Sequence, residues 1–284
     1  MTNSGGPRLS TANKVAVYAA LIVLSIPALL PMLWMVSTSL KTNAQIFGKG
    51  ELTLSSLIPM PINVKNYPDA LQNMPFLLYL RNTLLLCVTT VIGSVASSAV
   101  VAYGFAKLNF PGRGAMFGVM IATMALPGQV TMIPVFNLFR SLGWYDTYLP
   151  LIVPSFAASA YYVFLLTQFF RTVPTEMSEA AKVDGANEWT IFSRLILPLS
   201  KPALATCALF QFIGAWNDFL GPLLYINDPA KYTLAYGLQQ FVSHYGGFFA
   251  QLMAAATIFT LPIIVLFFFA QKTFIQGIST TGGK

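Results

Sequence analysis

Charge is what this sequence has least of. Of its 284 residues only 16 are Lys or Arg and 9 are Asp or Glu, so charged side chains make up 9%, where a soluble domain carries about 25%. So few charges cannot cover a water-facing surface, and the mean hydropathy is +0.66. An apolar content of 56% excludes a disordered chain. The 20 Gly and 18 Pro follow no period, which excludes collagen-like and mucin-like chains. There is one histidine, His244, beside Tyr245 and Gly246-Gly247. Without a second His or a nearby carboxylate pair, neither a metal site nor general-base catalysis is supported. The two cysteines, Cys87 and Cys207, both sit in apolar runs, so they read as small buried hydrophobes rather than a disulfide or a metal site. The sequence reads as an integral membrane protein.

Six apolar runs are long enough to cross a bilayer, which takes about 20 residues. They are Val15–Val36, Thr83–Ala106, Ala115–Phe139, Tyr148–Phe170, Ala203–Ile226 and Phe248–Ala270. They do not alternate as barrel strands do, and a helix satisfies its own backbone in lipid. The expected fold is all-α, a polytopic protein with six transmembrane helices spanning residues 15–270. The first run is longer than the apolar region of a signal peptide, about 7–15 residues, and reads as a retained span.

Six spans place both termini on one side. That side would hold ten basic residues against six on the other, so the positive-inside rule makes both termini cytoplasmic: a tail at 1–14 and another at 271–284. The net charge of +7 then reflects topology and anionic headgroups rather than nucleic acid. Two connections are long, an outer loop at 37–82 and an inner loop at 171–202. The second span carries small residues at Gly93, Ser94, Ser97, Ser98 and Ala102, which suit close helix packing. The third carries Pro127 and Pro134, which predict kinks.

The inner loop holds the clearest pattern. Pro174-Thr175 begins a helix with Glu176 and Glu179 in its first turns, where the dipole favours anions. Met177, Ala180 and Ala181 give it a small apolar face. Asp184-Gly185 predicts a stop, because Gly takes the left-handed conformation after a helix. Asn187 predicts a cap for a second helix with Trp189, Phe192, Leu195 and Ile196 on one face, ended by Pro198 and Pro202. Such an elbow suits a soluble partner better than lipid, since its first helix is acidic and its apolar residues are small.

Glu179-Ala180-Ala181, then Asp184-Gly185-Ala186, then Ile196-Leu197-Pro198 resembles the EAA loop of binding-protein-dependent ABC importer permeases. The surrounding sequence is similar to the MalG-type carbohydrate branch, at Arg81-Asn82-Thr83-Leu84, Ala102-Tyr103-Gly104-Phe105-Ala106, Trp216-Asn217-Asp218-Phe219 and Gly237-Leu238-Gln239-Gln240-Phe241. The resemblance implies that the first loop helix is a coupling helix seated in a cytoplasmic ATPase subunit, with Glu179 ion-paired there and Gly185 allowing the bend. It also implies that the C-terminal tail approaches the ATPase through Gly277. The implied partners are a homologous MalF-like permease subunit, a MalK-like ATPase dimer that binds ATP and Mg, and an extracytoplasmic solute-binding protein at a bacterial inner membrane.

The chain has no P-loop: Gly282-Gly283-Lys284 carries Ile278 at the first glycine position. It is expected to be a non-catalytic transport subunit with no cofactor of its own. Candidate pathway residues are Trp216, Asn217 and Asp218 in the fifth span, which Gly221-Pro222 interrupts just beyond, with Gln129 between the third span's prolines. Asp218 can serve a structural hydrogen bond or line a solute path. The expected cargo is a sugar or oligosaccharide; glycerol 3-phosphate or another polyol derivative is the alternative. A stand-alone secondary transporter would need buried ionisable relays and a membrane enzyme a catalytic constellation; neither pattern is visible.

Overall fold

The computed structural model describes residues 10–48, 58–243 and 248–279, and all its regular elements are helical. His244 to Gly247 and the glycines at 282 and 283 lie outside the described residues. The chain divides into two units. One comprises residues 1–74 and 240–260, the other residues 75–239 and 261–284.

The first unit is led by α1 (Thr11–Ser39), whose buried residues are confined to Ser37, Thr38 and Ser39 at its end. An apolar helix exposed over most of its length fits a hydrocarbon surround. Its end is tied down by Asn66, which donates to the carbonyls of Ser39 at 2.8 Å and Lys41 at 2.7 Å. Thr42 and Gln45 form a reciprocal capping box that starts α2 (Asn43–Phe47). A short α3 (Asn66–Asn73) follows, and Asn73 donates to Gln251 at 2.8 Å.

The second unit is built around α4 (Phe76–Lys107), which starts seven residues before the expected span and so takes the end of loop 37–82 into a helix. Its small-residue stripe performs the expected packing. A Cβ on Gly93 would lie 2.7 Å from the Phe156 ring, and Ser97 and Ser98 hydroxyls accept the N–H groups of Ala158 at 3.1 Å and Ser159 at 3.0 Å.

Several spans are less continuous than their hydropathy predicts. The third divides into α5 (Arg113–Thr123) and α6 (Gly128–Ser141), bent by 93°. Pro127 explains the break, since it disfavours helical backbone at the residue before it and leaves the α6 start in extended conformation. Pro134 is accommodated inside α6. The fourth is α7 (Leu149–Ile152), a 3₁₀ turn at Val153–Ala157, and α8 (Ala160–Thr172). Ala158 between them has φ +63°, and the α4 serines satisfy the amides that this break frees.

The inner loop forms α9 (Thr175–Val183) and α10 (Glu188–Leu199), and α11 (Lys201–Trp216) departs from α10 at 77°. Pro198 does not end α10 as expected. It lies inside the helix, because residues Ile191–Ile196 adopt a π-helical turn in which Leu197 N–H bonds to Phe192. Pro202, in the first turn of α11, needs no N–H partner. The fifth span also breaks earlier than expected. α11 ends at Trp216, and α12 (Leu220–Tyr225) contains Gly221-Pro222 instead of stopping there. Proline clashes with the carbonyl four residues back, that of Asp218, so the irregular stretch falls before it. The chain closes with α13 (Leu234–Ser243) and α14 (Phe249–Ser279).

Among the described residues, four helices are long and apolar enough to be unbroken spans, and six if each bent pair counts as one. The second unit's core gathers Ala102 and Tyr103 from α4, Leu166 and Phe170 from α8, Ile196 from α10 and Cys207 from α11.

Candidate functional site

The elbow between α9 and α10 is made by local chemistry. Val173 and Pro174 are extended, and Pro174 caps α9 at an angle that leaves most of the helix in the open. Ser178 is the one buried residue of α9. Its end is a Schellman turn: Ala186 N–H reaches the Ala181 carbonyl at 2.9 Å and Gly185 N–H the Lys182 carbonyl at 3.0 Å. Gly185 sits at φ +81°, which a residue with a Cβ adopts at a cost of about 1–2 kcal/mol. Asn187 then caps α10, accepting from Thr190 N–H at 2.8 Å.

The EAA-type residues divide by exposure. Glu179, Ala180 and Asp184 face outward, while Ala181 and Ala186 pack on the core cluster. α10 is anchored by Ile191, Phe192 and Ile196, all buried. Trp189 departs from the expected face: it is 66% exposed and only edges the Phe192 ring at 5.5 Å. The π-helical turn changes the angular step, so a strict 3.6-residue reading misplaces it. Gly277 lies in the last turns of α14.

Four residues that the motif did not single out hold the elbow. Lys182 pairs with Glu188 at 2.6 Å, and the Tyr103 hydroxyl donates to the other oxygen of Glu188 at 2.5 Å. The Lys182 hydrogen bond first, and that from Tyr103 second, hold the Glu188 carboxyl below the usual range. Lys107 Nζ donates to the Val173 carbonyl at 2.6 Å, just ahead of α9. A Lys–Glu spacing of six across a glycine was the available signal; Tyr103, far away in sequence, gave none.

The second candidate region surrounds Asp218, in the irregular stretch between α11 and α12. Its Oδ1 accepts from Gly221 N–H at 2.9 Å, so the carboxylate caps α12. A Cβ at Gly221 would collide with Asp218 Oδ2, so the glycine makes room for that cap. Asp218 also borders two cavities. One, of about 300 Å³, is lined by Gln129, Thr131, Gly221 and Tyr225. The other, of about 230 Å³, is lined by Thr90, Gln211 and Pro222. Gln129 and Asp218 therefore border one cavity, and Asp218 shares the other with Thr90 and Gln211, which were unpredicted. Trp216 does not line either cavity: it is fully buried and stacks on Phe212 at 5.6 Å. Asn217 turns back to donate to the Ile213 carbonyl at 2.8 Å.

At the far end of α4 from Tyr103, the loops are knotted. Asn82 donates to the carbonyls of Ala230 at 2.9 Å and Tyr232 at 3.0 Å, and Thr83 accepts from Leu234 N–H at 2.9 Å. Asp146, at φ +59°, accepts from both Asn227 and Asp228 N–H and pairs with Lys231 at 3.1 Å. The amides of Asp228 and Asn227 hold its carboxyl below the usual range. The Asn82-Thr83 pair is thus structural, a splint between α4 and residues 230–234.

A broken-helix bundle with an elbow between spans four and five defines a membrane transport component. The chain belongs to the family described as binding-protein-dependent transport system inner membrane component, which matches residues 90–280. A putative ABC transporter permease protein of Caldicellulosiruptor is 32% identical over 90% of this chain and 92% of its own. The arabinooligosaccharides transport system permease protein AraQ of Bacillus subtilis is 30% identical over 95% of this chain and 96% of its own. The trehalose transport system permease protein SugB of Mycobacterium tuberculosis is 31% identical over 96% and 99% respectively. Among solved structures, a bacterial ABC transporter involved in the import of the acidic polysaccharide alginate superposes with a TM-score of 0.78 at 25% identity, covering 94% of this chain and 99% of that one.

Proposed function

We propose that this permease carries a carbohydrate, a sugar or oligosaccharide, inward across a bacterial inner membrane by alternating access, with both termini cytoplasmic. Energy comes from separate ATPase subunits, which bind ATP and Mg and grip the exposed face of α9 through Glu179. A second, homologous permease subunit completes the path, and an extracytoplasmic binding protein delivers the solute. Gly277 brings the end of α14 toward the ATPase.

The observation that carries this reading is the elbow: an exposed acidic helix closed by a Schellman turn at Gly185 and rooted in the core through α10. A handle of this kind transmits displacement because its root is close-packed. Carbohydrate is favoured by the cargoes named for the relatives, arabinooligosaccharides and trehalose. It is also favoured by the cavity linings beside Asp218, which offer Thr90, Gln129, Thr131 and Gln211 as neutral hydrogen-bonding groups and no Lys or Arg. A phosphorylated cargo would call for a cation there.

The test is reconstitution of the whole transporter in vesicles. Glu179→Arg is expected to leave the complex assembled while uptake of labelled oligosaccharide falls about tenfold or more, since an exchanged charge at a protein contact costs more than about 1.4 kcal/mol. Unchanged uptake would remove Glu179 from the contact. Loss of uptake for every carbohydrate tested in the wild-type complex would overturn the cargo assignment.

A further inference from the structure

A glycine hinge at φ +81° is a poor lever by itself, because a swing at Gly185 would absorb a push on α9 before it reached the bundle. The structure contains a bridge across that hinge. Lys182, on the last turn of α9, and Glu188, on the first turn of α10, flank Gly185 by three residues on each side and meet at 2.6 Å. Glu188 is then fixed to the second span by the Tyr103 hydroxyl at 2.5 Å. The Tyr103 ring is buried, 6% exposed, and packs on Phe192 at 5.2 Å.

We propose that Lys182, Glu188 and Tyr103 form a clamp that locks the elbow and ties it to α4, so that a displacement of α9 is passed to the second span instead of being lost at Gly185. These are positioning residues; none of them touches solute or nucleotide. The proposal rests on the reading of α9 as the ATPase handle. The path continues along α4. Five residues before Tyr103, Ser98 accepts the amide of Ser159, and Ser97 accepts that of Ala158. These amides belong to the junction between the 3₁₀ turn and α8, where Ala158 sits at φ +63°. A movement of α4 therefore acts on the point of the fourth span where α4 side chains bond the backbone amides.

An exposed ion pair alone is worth little, and Lys182 and Glu188 side chains are 52% and 44% exposed. The clamp differs because one carboxylate serves two tethers, and one of these is rooted in the core. Each tether is charge-assisted, which makes it about twice as strong as a neutral hydrogen bond.

The experiment measures solute moved per ATP hydrolysed in the assembled transporter reconstituted in vesicles. A merely structural role would lower both quantities together. The clamp predicts that Tyr103→Phe, which keeps the ring against Phe192, lowers the ratio about threefold or more, within the range known for residues that modulate coupling. Glu188→Lys is expected to lower it similarly, and Lys182→Glu combined with Glu188→Lys to recover it in part by restoring the pair. If Tyr103→Phe does not assemble, Lys182→Met at the exposed end of the clamp carries the same prediction. A wild-type ratio in the first variant that assembles overturns the proposal. The Glu179→Arg variant separates the two readings. If it uncouples the transporter while the clamp variants do not, the clamp alone falls; if it has no effect either, the handle falls with it.

Discussion

The carboxylate of Asp218 has one oxygen committed to Gly221 N–H and the other crowded against the space where a Gly221 side chain would sit. Burying a carboxylate in a membrane protein costs free energy unless it is well bonded, and the cap supplies that bonding. Asp218→Asn keeps an acceptor in the same place and is expected to retain most of the uptake. Gly221→Ala is expected to displace the carboxylate and to cost about 1–3 kcal/mol, the usual penalty of overpacking, read as a lower unfolding temperature in detergent together with reduced uptake. Equal uptake by both variants would show that the cap has no bearing on transport. Glu188 has a pH signature with a definite sign. Its carboxyl is held below the usual Glu value of about 4.3, so the stabilisation is complete above that value and is lost as pH falls through the lower, folded one. The difference in unfolding temperature between wild type and Glu188→Gln is expected to be constant at neutral pH and to shrink below about pH 4.

Prolines and small residues decide the elements. Pro127 and Pro222 break their spans just upstream of themselves, for the two reasons proline has: restriction of the residue before it and collision with the carbonyl four back. Pro198 shows that the same residue is tolerated where a π-helical turn re-registers the ladder. That accommodation depends on Ile191, Phe192 and Ile196 being buried, which no local pattern states. The α4 stripe is a close-approach surface: a Cβ added to Gly93 would lie 2.7 Å from the Phe156 ring and from Ser155 Oγ. Gly93→Val is expected to force α4 from the Val153–Ala157 turn, costing about 1–3 kcal/mol. The assembled protein should then unfold several degrees lower, since 1 kcal/mol corresponds to roughly 2–4 °C at this size. An unfolding temperature equal to wild type would mean that the contact is not close-packed.

For the whole molecule, the decisive quantity is sidedness. The elbow and the knot around Asp146 and Lys231 lie toward opposite ends of α4, the first beside Tyr103 and the second beside Asn82. The chain's own cysteines, Cys87 and Cys207, are 0% and 1% exposed, so a membrane-impermeant thiol reagent will find little native background. Val183→Cys, at a position 87% exposed on the elbow, is expected to label only from the cytoplasmic face. Asn227→Cys, in the knot, is expected to label only from the outer face. Labelling of both from one side would overturn the topology and, with it, the handle on which the mechanism depends.

The sequence by itself determined that this is a helical membrane protein and where its elbow turns. Both follow from local rules: long apolar runs must be helices in lipid, and Pro174 to Asn187 carry their own start, stop and cap signals. The tertiary structure alone decided which polar groups meet. Tyr103 finds Glu188 across 85 residues, Gln129 and Asp218 share a cavity, Trp216, a candidate for the solute path, is buried, and Trp189, expected on an apolar helix face, is exposed. The reason is geometric. The bends of 93° between α5 and α6 and of 77° between α10 and α11 are encoded by no hydropathy pattern, and the direction of each piece selects its neighbours.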